Sequence, residues 1–358
     1  MHRKKLKDAK IIVIKIGSST LTDKSGKLDR NNLQRIASEI ADIISLGKKV
    51  IIVTSGAIVC GSERISKLKS LRSISQMQAA AAIGQGLLMK EYDNAFSRFE
   101  KPVAQVLLTR DAIADRERYL NTCNAIHEMI EFGAIPIVNE NDTVSIDEIK
   151  IGDNDNLSAL VANLVGADLL INLTDVQGFM IDGVVVQEID KIDKRIEEAA
   201  LPGGVFGRGG MVTKLQAAKI CSDAGIFMII ASGRDNGIFS KILDGQNIGT
   251  LFIPREKKLD SRKRWLAHGF KPAGKVIIDE GAARALAERG SSLLGVGIKE
   301  VKGKFKPGDL ISIFNLKGKE IARGLSNISS DETDKIKGLK SADSGYEEVI
   351  HRDNLVVL

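Results

Sequence analysis

Four short polar side chains stand in a row in front of an apolar run. Asp153, Asn154, Asp155 and Asn156 precede the segment LSALVANLVG at 157–166. A helix N-cap needs only one such side chain. A calcium-binding loop would share the D-x-D start, but its glycine and distal glutamate do not follow. The surplus of carboxylate and amide groups therefore predicts contacts with a ligand.

A lysine and a turn of small residues follow the first apolar run of the chain. Lys15 lies near the end of KIIVIKIG, and Gly17, Ser18 and Ser19 come next. Backbone N–H groups in such a turn can face phosphate oxygens, with the lysine as counter-charge. A lysine that extends its ammonium group into solvent is the simpler alternative. Both interpretations stay open on this stretch alone.

A second glycine-rich segment, GRGGMVTK at 207–214, precedes a helix predicted at 213–225. Glycines let the backbone approach a ligand, and a helix N-terminus favours anions. Lys214 is predicted in the first turn of this helix, where the helix dipole disfavours a cation. An anionic ligand would offset the unfavourable position of the Lys214 cation. The alternative interpretation of this segment is a flexible linker.

Two further strand ends carry candidate binding groups. In VTSGAI, Ser55 and the backbone of Gly56 and Ala57 could bind a carboxylate, although a tight strand-to-helix connection explains the same residues. In NEND, Asp142 could accept from an ammonium group. Lysines, glycine loops and acidic strand ends together indicate phosphoryl transfer, which depends on positioning and charge neutralisation. A carboxylate acceptor would need no catalytic base, because its pKa is roughly 4.

The elements that must position these residues alternate between β and α patterns. Apolar runs predict strands, and helical periodicity predicts helices between them. Because the strands are almost continuously apolar, they indicate a parallel sheet covered on both faces, with ligands at the carboxyl ends of its strands. The predicted strands are 10–17, 48–56, 102–109, 134–142, 167–178 and 224–233. The predicted helices are 28–47, 74–96 (loosened by Gly84 and Gly86), 118–133 and 213–225.

The sequence pattern changes after residue 254. Residues 255–275 hold 8 Lys/Arg and 2 Asp/Glu, whereas the flanking parts are balanced, so this segment carries the whole net charge of +6. Residues 276–358 show short strands, turn signals, one helix near 280–289 and a final strand in HRDNLVVL. We predict an α/β three-layer sandwich at 1–254, a basic linker at 255–275 and a small β-barrel-like domain at 276–358.

Composition excludes several classes of protein. Aromatic residues make up only 4% of the 358 residues, which argues against a base-stacking surface. No apolar run reaches the length of a membrane span, and Lys15 interrupts the one that resembles a signal peptide. Three scattered cysteines and four scattered histidines fit neither a disulfide framework nor a zinc site. We therefore expect a reducing, cytoplasmic location.

The ordered motifs KIGSSTLT, VTSGAI, VNENDTV, KIGDNDNLSAL, LTDVQGF and GGMVTKLQAA resemble the amino acid kinase family, and within it the glutamate 5-kinases. The segment from GKVIIDEGAARAL onward resembles a PUA domain. The resemblance implies ATP-dependent phosphorylation of the γ-carboxylate of L-glutamate, the first step of proline synthesis, with Mg²⁺ accompanying ATP. Another amino acid kinase, acting on aspartate or N-acetylglutamate, is an alternative.

The resemblance also implies residue roles. Lys15 and Lys214 would be catalytic, as would Asp153 and Asp155, which would position the lysines and the Mg²⁺ that accompanies ATP. The glutamate-binding set would be Ser55, Gly56, Ala57, Asp142 and Asn154. The ATP-binding set would be Lys15, Gly17, Thr174, Asp175, Arg208, Gly209, Gly210, Met211, Val212, Thr213 and Lys214. No metal ligand is assigned, since Mg²⁺ would be held through the phosphates of ATP.

Two departures from the family pattern concern the nucleotide. Arg208 stands where the family loop commonly has a small hydroxyl residue, and the segment after LTDVQGFMIDG lacks the usual ADP turn. The resemblance further implies proline as a feedback inhibitor, a glutamate-5-semialdehyde dehydrogenase as partner, and a homo-oligomer, either dimer or tetramer. An RNA-binding regulator acting through the PUA domain is a rival of another class. Because residues 276–358 are net neutral, the charge pattern disfavours it.

Overall fold

The structure is a computed structural model that describes residues 2–65, 73–109, 113, 116–144, 153–200, 210–255, 272–339, 345 and 348–358. It divides into two compact units, Met1–Lys258 and Leu259–Leu358. These bounds differ slightly from the predicted domains, and most of the predicted basic linker lies outside the described residues.

The first unit alternates strands and helices. Its strands are β1 Ile11–Ile16, β2 Lys49–Thr54, β3 Val103–Leu108, β4 Ile135–Glu140, β5 Leu169–Thr174, β6 Met180–Ile181, β7 Val184–Val185, β8 Glu188–Ile189, β9 Phe227–Ser232 and β10 Thr250–Phe252. Its helices are α1 Ser18–Leu21, α2 Arg30–Ser45, α3 Ala57–Arg64, α4 Ile74–Ser97, α5 Arg116–Glu131, α6 Asp153–Leu164, α7 Lys194–Ala199, α8 Gly210–Ala224 and α9 Ile238–Leu243. A six-residue 3₁₀ helix, Arg3–Asp8, precedes β1.

Eight strands form one sheet in the order β3-β4-β2-β1-β5-β9-β10-β8. The first six are mutually parallel, and β10 runs antiparallel to β9. Each of the six predicted strands is present, although several are shorter than predicted at their ends. The fold is therefore the predicted α/β architecture, with the carboxyl ends of the parallel strands along one edge.

The two faces of β1 have different partners. Ile12, Ile14 and Ile16 belong to a core cluster that includes residues of α2, α4 and α9. Because side chains alternate along a strand, Lys15 lies on the opposite face. There α6 contacts β1, β2 and β5. The sheet is thus covered on both faces, and Lys15 points toward α6, where its ammonium group contacts Asp155.

Glycines in α3 and α4 permit a close helix contact. A Cβ on Gly84 would lie 1.8 Å from the carbonyl oxygen of Ala57, and one on Gly61 would lie 1.9 Å from that of Ala80. Gly84 was expected to loosen its helix. That expectation is wrong, since α4 is continuous through Gly84 and the glycine serves packing.

The second unit holds a five-stranded sheet in the order β12-β11-β13-β14-β15. Its strands are β11 Gly274–Ile278, β12 Ile298–Gly303, β13 Leu310–Asn315, β14 Glu320–Leu325 and β15 Leu355–Val357. Its helices are α10 Glu280–Arg289 and α11 Ser330–Ile336, which has a capping box of Ser329 and Glu332. β11 begins inside the predicted linker, while the helix at 280–289 and the closing strand are present as predicted.

Candidate active site

A cleft of about 320 Å³ opens at the carboxyl ends of the central strands. Residues from β1, β4 and β5, from the turns that follow β1, β2 and β4, and from α1, α3, α4, α6 and α8 line it. Its lining includes Lys15, Gly17, Ser18, Ser19, Ser55, Gly56, Ala57, Ile58, Val59, Met77, Asn139, Glu140, Asp142, Asn154, Asp155, Leu173, Thr174, Gly210 and Lys214. The cleft lies where open parallel sheets bind ligands.

Asp155 is the centre of the polar cluster in this cleft. Its Oδ1 lies 2.7 Å from Lys15 Nζ, and its Oδ2 lies 3.1 Å from Lys214 Nζ. Asn172 donates to Oδ1 at 3.0 Å and Thr213 donates to Oδ2 at 2.7 Å. One fully buried carboxylate therefore holds two lysines side by side.

The charges of this cluster depend on one another. Burial would raise the pKa of Asp155, but the ammonium groups of Lys15 and Lys214 offset that and lower it to about 2. Burial lowers the pKa of Lys15, and nearby Lys214 lowers it further against the attraction of Asp155. The cluster has one carboxylate for two lysines, so an anionic ligand would complete its charge balance.

Four elements bring this cluster together. Lys15 on β1 lies in register beside Asn172 on β5. Asp155 belongs to the first turn of α6, which starts at Asp153, so the polar row forms part of the helix instead of preceding it. Helix α8 starts at Gly210, earlier than predicted, so Lys214 lies in its second turn. The predicted first-turn position of Lys214 is therefore wrong, and with it the expected conflict with the helix dipole; Asp155 pairs with the lysine instead.

Room for phosphate oxygens exists beside Lys15. A Cβ on Gly17 would lie 3.1 Å from Lys15 Nζ and 3.3 Å from the carbonyl oxygen of Leu173. Thr174 and Gly210 also line this end of the cleft. The absence of a side chain at Gly17 thus keeps the lysine accessible to a ligand.

The opposite end of the cleft is built around the amide of Asn154. Its Nδ2 donates to the carbonyl oxygen of Thr54 at 2.8 Å, to Ser55 Oγ at 3.0 Å and to Asn139 Oδ1 at 3.1 Å. Its Oδ1 is buried and has no hydrogen-bond partner within the described ranges. Next to it, Gly56 has a φ of 102°, which favours glycine and turns the chain into α3.

Asp142 supplies a carboxylate at this end. It lines the cleft, and partial burial raises its pKa. Asn139 and Glu140, at the end of β4, line the cleft beside it. This end therefore offers acceptors that suit an ammonium group.

Other predicted site residues lie elsewhere. Asp175 is exposed and accepts from Thr174 Oγ1 at 3.1 Å. Met211 and Val212 belong to α8 and are half-buried, and Thr213 contacts Asp155 without lining the cleft. Arg208, Gly209 and the side chain of Asp153 lie outside the described residues.

Several residues of the site had no role assigned from the sequence. They are Asn139, Glu140, Asn172, Ile58, Val59 and Met77. Asn172 carried a usable signal, because it is a single polar residue inside the apolar strand LLINLT, as Lys15 is inside its own strand. Met77 comes from a distant helix, and no local pattern marks it.

The fold and cleft match a known class of protein. Residues 10–232 match the model of the amino acid kinase family, and residues 274–344 match that of the PUA domain. The chain belongs to the amino acid kinase family. The glutamate 5-kinase of Caldanaerobacter subterraneus is 45% identical over 97% of both chains. Those of Moorella thermoacetica (99% of this chain, 97% of that one) and Geobacter sulfurreducens (99% of both) are also 45% identical.

A solved structure supports the fold of the first unit. Carbamate kinase from Giardia has a TM-score of 0.51, and the match covers 69% of this chain and 99% of that one. At 21% identity, this likeness concerns architecture alone. Among the described helices, none is both long and apolar enough to cross a membrane.

Proposed function

We propose that this chain transfers the γ-phosphoryl group of ATP to the side-chain carboxylate of L-glutamate, giving L-glutamyl 5-phosphate for proline biosynthesis. The observation that carries the proposal is the bridge from Asp155 to Lys15 and Lys214, 2.7 and 3.1 Å long, in a cleft that also holds Asn154 and Ser55. Relatives of nearly the same length, 45% identical and named glutamate 5-kinase, support the choice of acceptor.

The two lysines would act on the transferring group. Their ammonium groups share one carboxylate, which fixes them at the same point of the cleft. As negative charge moves between the leaving and attacking oxygens, two fixed cations stabilise it without reorganisation. The acceptor is already ionised, since an ordinary carboxyl group has a pKa of roughly 4. The reaction therefore needs no base, and alignment is the main task of the protein.

ATP would bind at the end of the cleft formed by Gly17, Thr174, Gly210 and Lys214. The nucleotide brings a divalent metal ion, and we assign Mg²⁺. The donor set fits an ion carried by the phosphates, because both oxygens of Asp155 already contact ammonium groups. When bound, Mg²⁺ neutralises phosphate charge. The roles of Arg208, Gly209 and Asp153 in holding ATP and the ion stay predictions.

L-Glutamate would bind at the other end. The free Oδ1 of Asn154 and the carboxylate of Asp142 suit an α-ammonium group, and Ser55 suits a carboxylate. N-Acetylglutamate lacks that ammonium charge, and aspartate is shorter by one methylene group. The proposal therefore favours L-glutamate over both.

The test is a coupled assay of ADP release with L-glutamate, L-aspartate and N-acetyl-L-glutamate as acceptors. We expect the highest kcat/KM with L-glutamate. A higher kcat/KM with either other acceptor would remove the proposal, while leaving membership of the family intact.

The resemblance adds proposals about partners. Proline as feedback inhibitor and a homo-oligomer follow from it, while the cytoplasmic location rests on the scattered cysteines. An acyl phosphate hydrolyses readily, which supports direct transfer to a glutamate-5-semialdehyde dehydrogenase. RNA binding by the PUA domain stays the rival prediction.

A further inference from the structure

A chain of three side-chain amides leads from outside the cleft to the proposed glutamate end. Gln85 on α4 is buried and does not line the cleft. Its Oε1 accepts from Asn139 Nδ2 at 2.8 Å, and Asn139 Oδ1 accepts from Asn154 Nδ2 at 3.1 Å. Asn154 Nδ2 in turn donates to Ser55 Oγ at 3.0 Å.

Backbone groups fix the donor and acceptor directions of these amide hydrogen bonds. The amide N–H of Glu140 can only donate, and it donates to Asn139 Oδ1 at 2.9 Å. The carbonyl oxygen of Thr54 can only accept, and it accepts from Asn154 Nδ2 at 2.8 Å. Asn139 must therefore turn its NH₂ group toward Gln85, where a buried donor needs an acceptor.

The directions of these hydrogen bonds determine which donor and acceptor groups the cleft presents to a substrate. With its NH₂ group engaged, Asn154 leaves its buried Oδ1 free of partners within the described ranges. Because Ser55 Oγ accepts from Asn154, its own O–H is available to donate. One acceptor and one donor side by side complement the ammonium and carboxylate groups of a free α-amino acid.

We propose that Gln85 is a positioning residue that determines specificity for an acceptor with a free α-ammonium group. Its Oε1 keeps Asn139, and through it Asn154, in the orientation that presents an acceptor to the substrate. This inference rests on the proposed phosphorylation of L-glutamate. Without the acceptor at position 85, Asn139 would have a buried, unpaired NH₂ group, and only a rotation of the Asn139 side-chain amide could satisfy it.

The experiment compares L-glutamate with glutarate, which has the same two carboxylates and no ammonium group. The measured quantity is the ratio of the two kcat/KM values, which does not depend on the fraction of folded enzyme. Gln85→Met keeps the size of the side chain and removes the acceptor. We expect it to lower the ratio by about tenfold or more, with little change in the KM for ATP.

Two variants serve as controls. Tyr92→Phe removes another buried hydrogen bond of α4, that of Tyr92 with Thr54 Oγ1 at 2.7 Å, and we expect an unchanged ratio. Gln85→Glu retains an acceptor for Asn139, and we expect a ratio near that of the parent chain even where Gln85→Met folds poorly. An unchanged ratio in Gln85→Met, or an equal loss in all three variants, would overturn the inference. A parent chain that does not phosphorylate L-glutamate would instead refute the proposed function.

Discussion

Asp155 has two roles in the cluster. It forms ion pairs with two buried lysines, and it holds their ammonium groups at one point of the cleft. Removing a carboxylate from such a cluster leaves buried cations uncompensated, which is costly. The same residue therefore supports both stability and the proposed catalysis.

We expect Asp155→Asn to lower kcat by at least about a hundredfold and to lower the free energy of unfolding by about 3 kcal/mol or more. Denaturant unfolding and steady-state kinetics measure the two effects. Glu198→Gln, at an exposed site of α7, should change neither. A variant with normal kcat would contradict the role assigned to Asp155.

The pH dependence of stability has a defined sign. The folded pKa of Asp155 is about 2, below the ordinary value of 3.8. Its stabilising contribution is therefore fully present above the ordinary pKa and is lost as pH falls toward 2. The stability difference between the parent chain and Asp155→Asn should be constant above about pH 5 and shrink below about pH 4. A difference that grew on acidification would be inconsistent with the ion-pair cluster.

The two ends of the cleft should be separable by kinetics. Lys214→Ala is expected to lower kcat by orders of magnitude, because Lys214 would act on the transferring group. Asp142→Ala should mainly raise the KM for glutamate, since Asp142 would contact the ammonium group. Initial-rate kinetics with both substrates distinguishes these effects, and changes in KM alone for both variants would disprove the roles.

At the scale of elements, the contact of α3 with α4 positions one wall of the cleft. Ala57, whose carbonyl oxygen approaches Gly84, is itself a lining residue. Gly84 and Gly86, both on α4, allow a matched comparison of alanine substitutions. A Cβ on Gly84 would clash with Ala57, whereas nothing lies within 4 Å of a Cβ on Gly86.

We expect Gly84→Ala to destabilise the chain by about 2 kcal/mol or more through the clash with α3. Gly86→Ala should instead stabilise it by about 0.5–1 kcal/mol, as alanine does in an exposed helix position. Thermal unfolding of both variants checks the pair. Equal shifts of the two melting temperatures would show that α3 and α4 leave room for a methyl group at position 84.

Hydrogen bonds and an ion pair from Arg234 and Asn32 hold the turn after β1. Arg234, which follows β9, pairs with Asp29 at 2.5 Å and donates to the carbonyl oxygens of Ser19 and Thr22. Asn32 donates to the carbonyl oxygen of Thr20 at 2.9 Å. These contacts fix the segment that includes Gly17–Thr22, where the phosphates of ATP are proposed to bind.

We expect Arg234→Met to raise the KM for ATP severalfold, because the turn loses three contacts, while the KM for glutamate stays the same. Lys241→Met removes a cation from a half-buried position of α9, where Lys241 Nζ donates to the carbonyl oxygen of Asn236, and serves as control. An effect on the glutamate KM alone would contradict the assignment of this end to the nucleotide.

The sequence predicts some elements of the fold and some residues of the site, but not others. Periodicity identified the six long strands, since their apolar runs are continuous and bounded by turn signals. It did not find β10, which has three residues, or α3, which follows its strand directly. Side-chain types at strand ends marked Lys15, Ser55 and Asp142 as candidates, and the polar row before a predicted helix marked Asn154. The resemblance supplied their expected roles. Gln85 and Met77 escaped, because only the tertiary packing of α4 brings them to the site.

At the scale of the whole molecule, charge is concentrated in one segment. Residues 255–275 carry the net charge of +6, and residues 276–358 are balanced. Nucleic-acid affinity depends on clustered positive charge and falls with salt. Binding by residues 276–358 is thus disfavoured, and any retention should depend on the basic segment at 255–275.

We expect the full chain to show only weak, sequence-indifferent RNA retention at physiological salt in a filter-binding series. Replacing Arg262, Lys263 and Arg264 by glutamine should reduce the retention seen at low salt and leave kcat and KM unchanged. Tight, sequence-selective binding at physiological salt would favour the RNA-binding rival instead.

The central claim is that one cleft makes an acyl phosphate on L-glutamate. Hydroxylamine traps acyl phosphates as hydroxamates, so the most direct measurement is the amount of glutamyl hydroxamate formed per ADP released by the full chain. We expect close to one hydroxamate per ADP with L-glutamate and far less product with L-aspartate. ADP release without hydroxamate, or equal product from both amino acids, would contradict it.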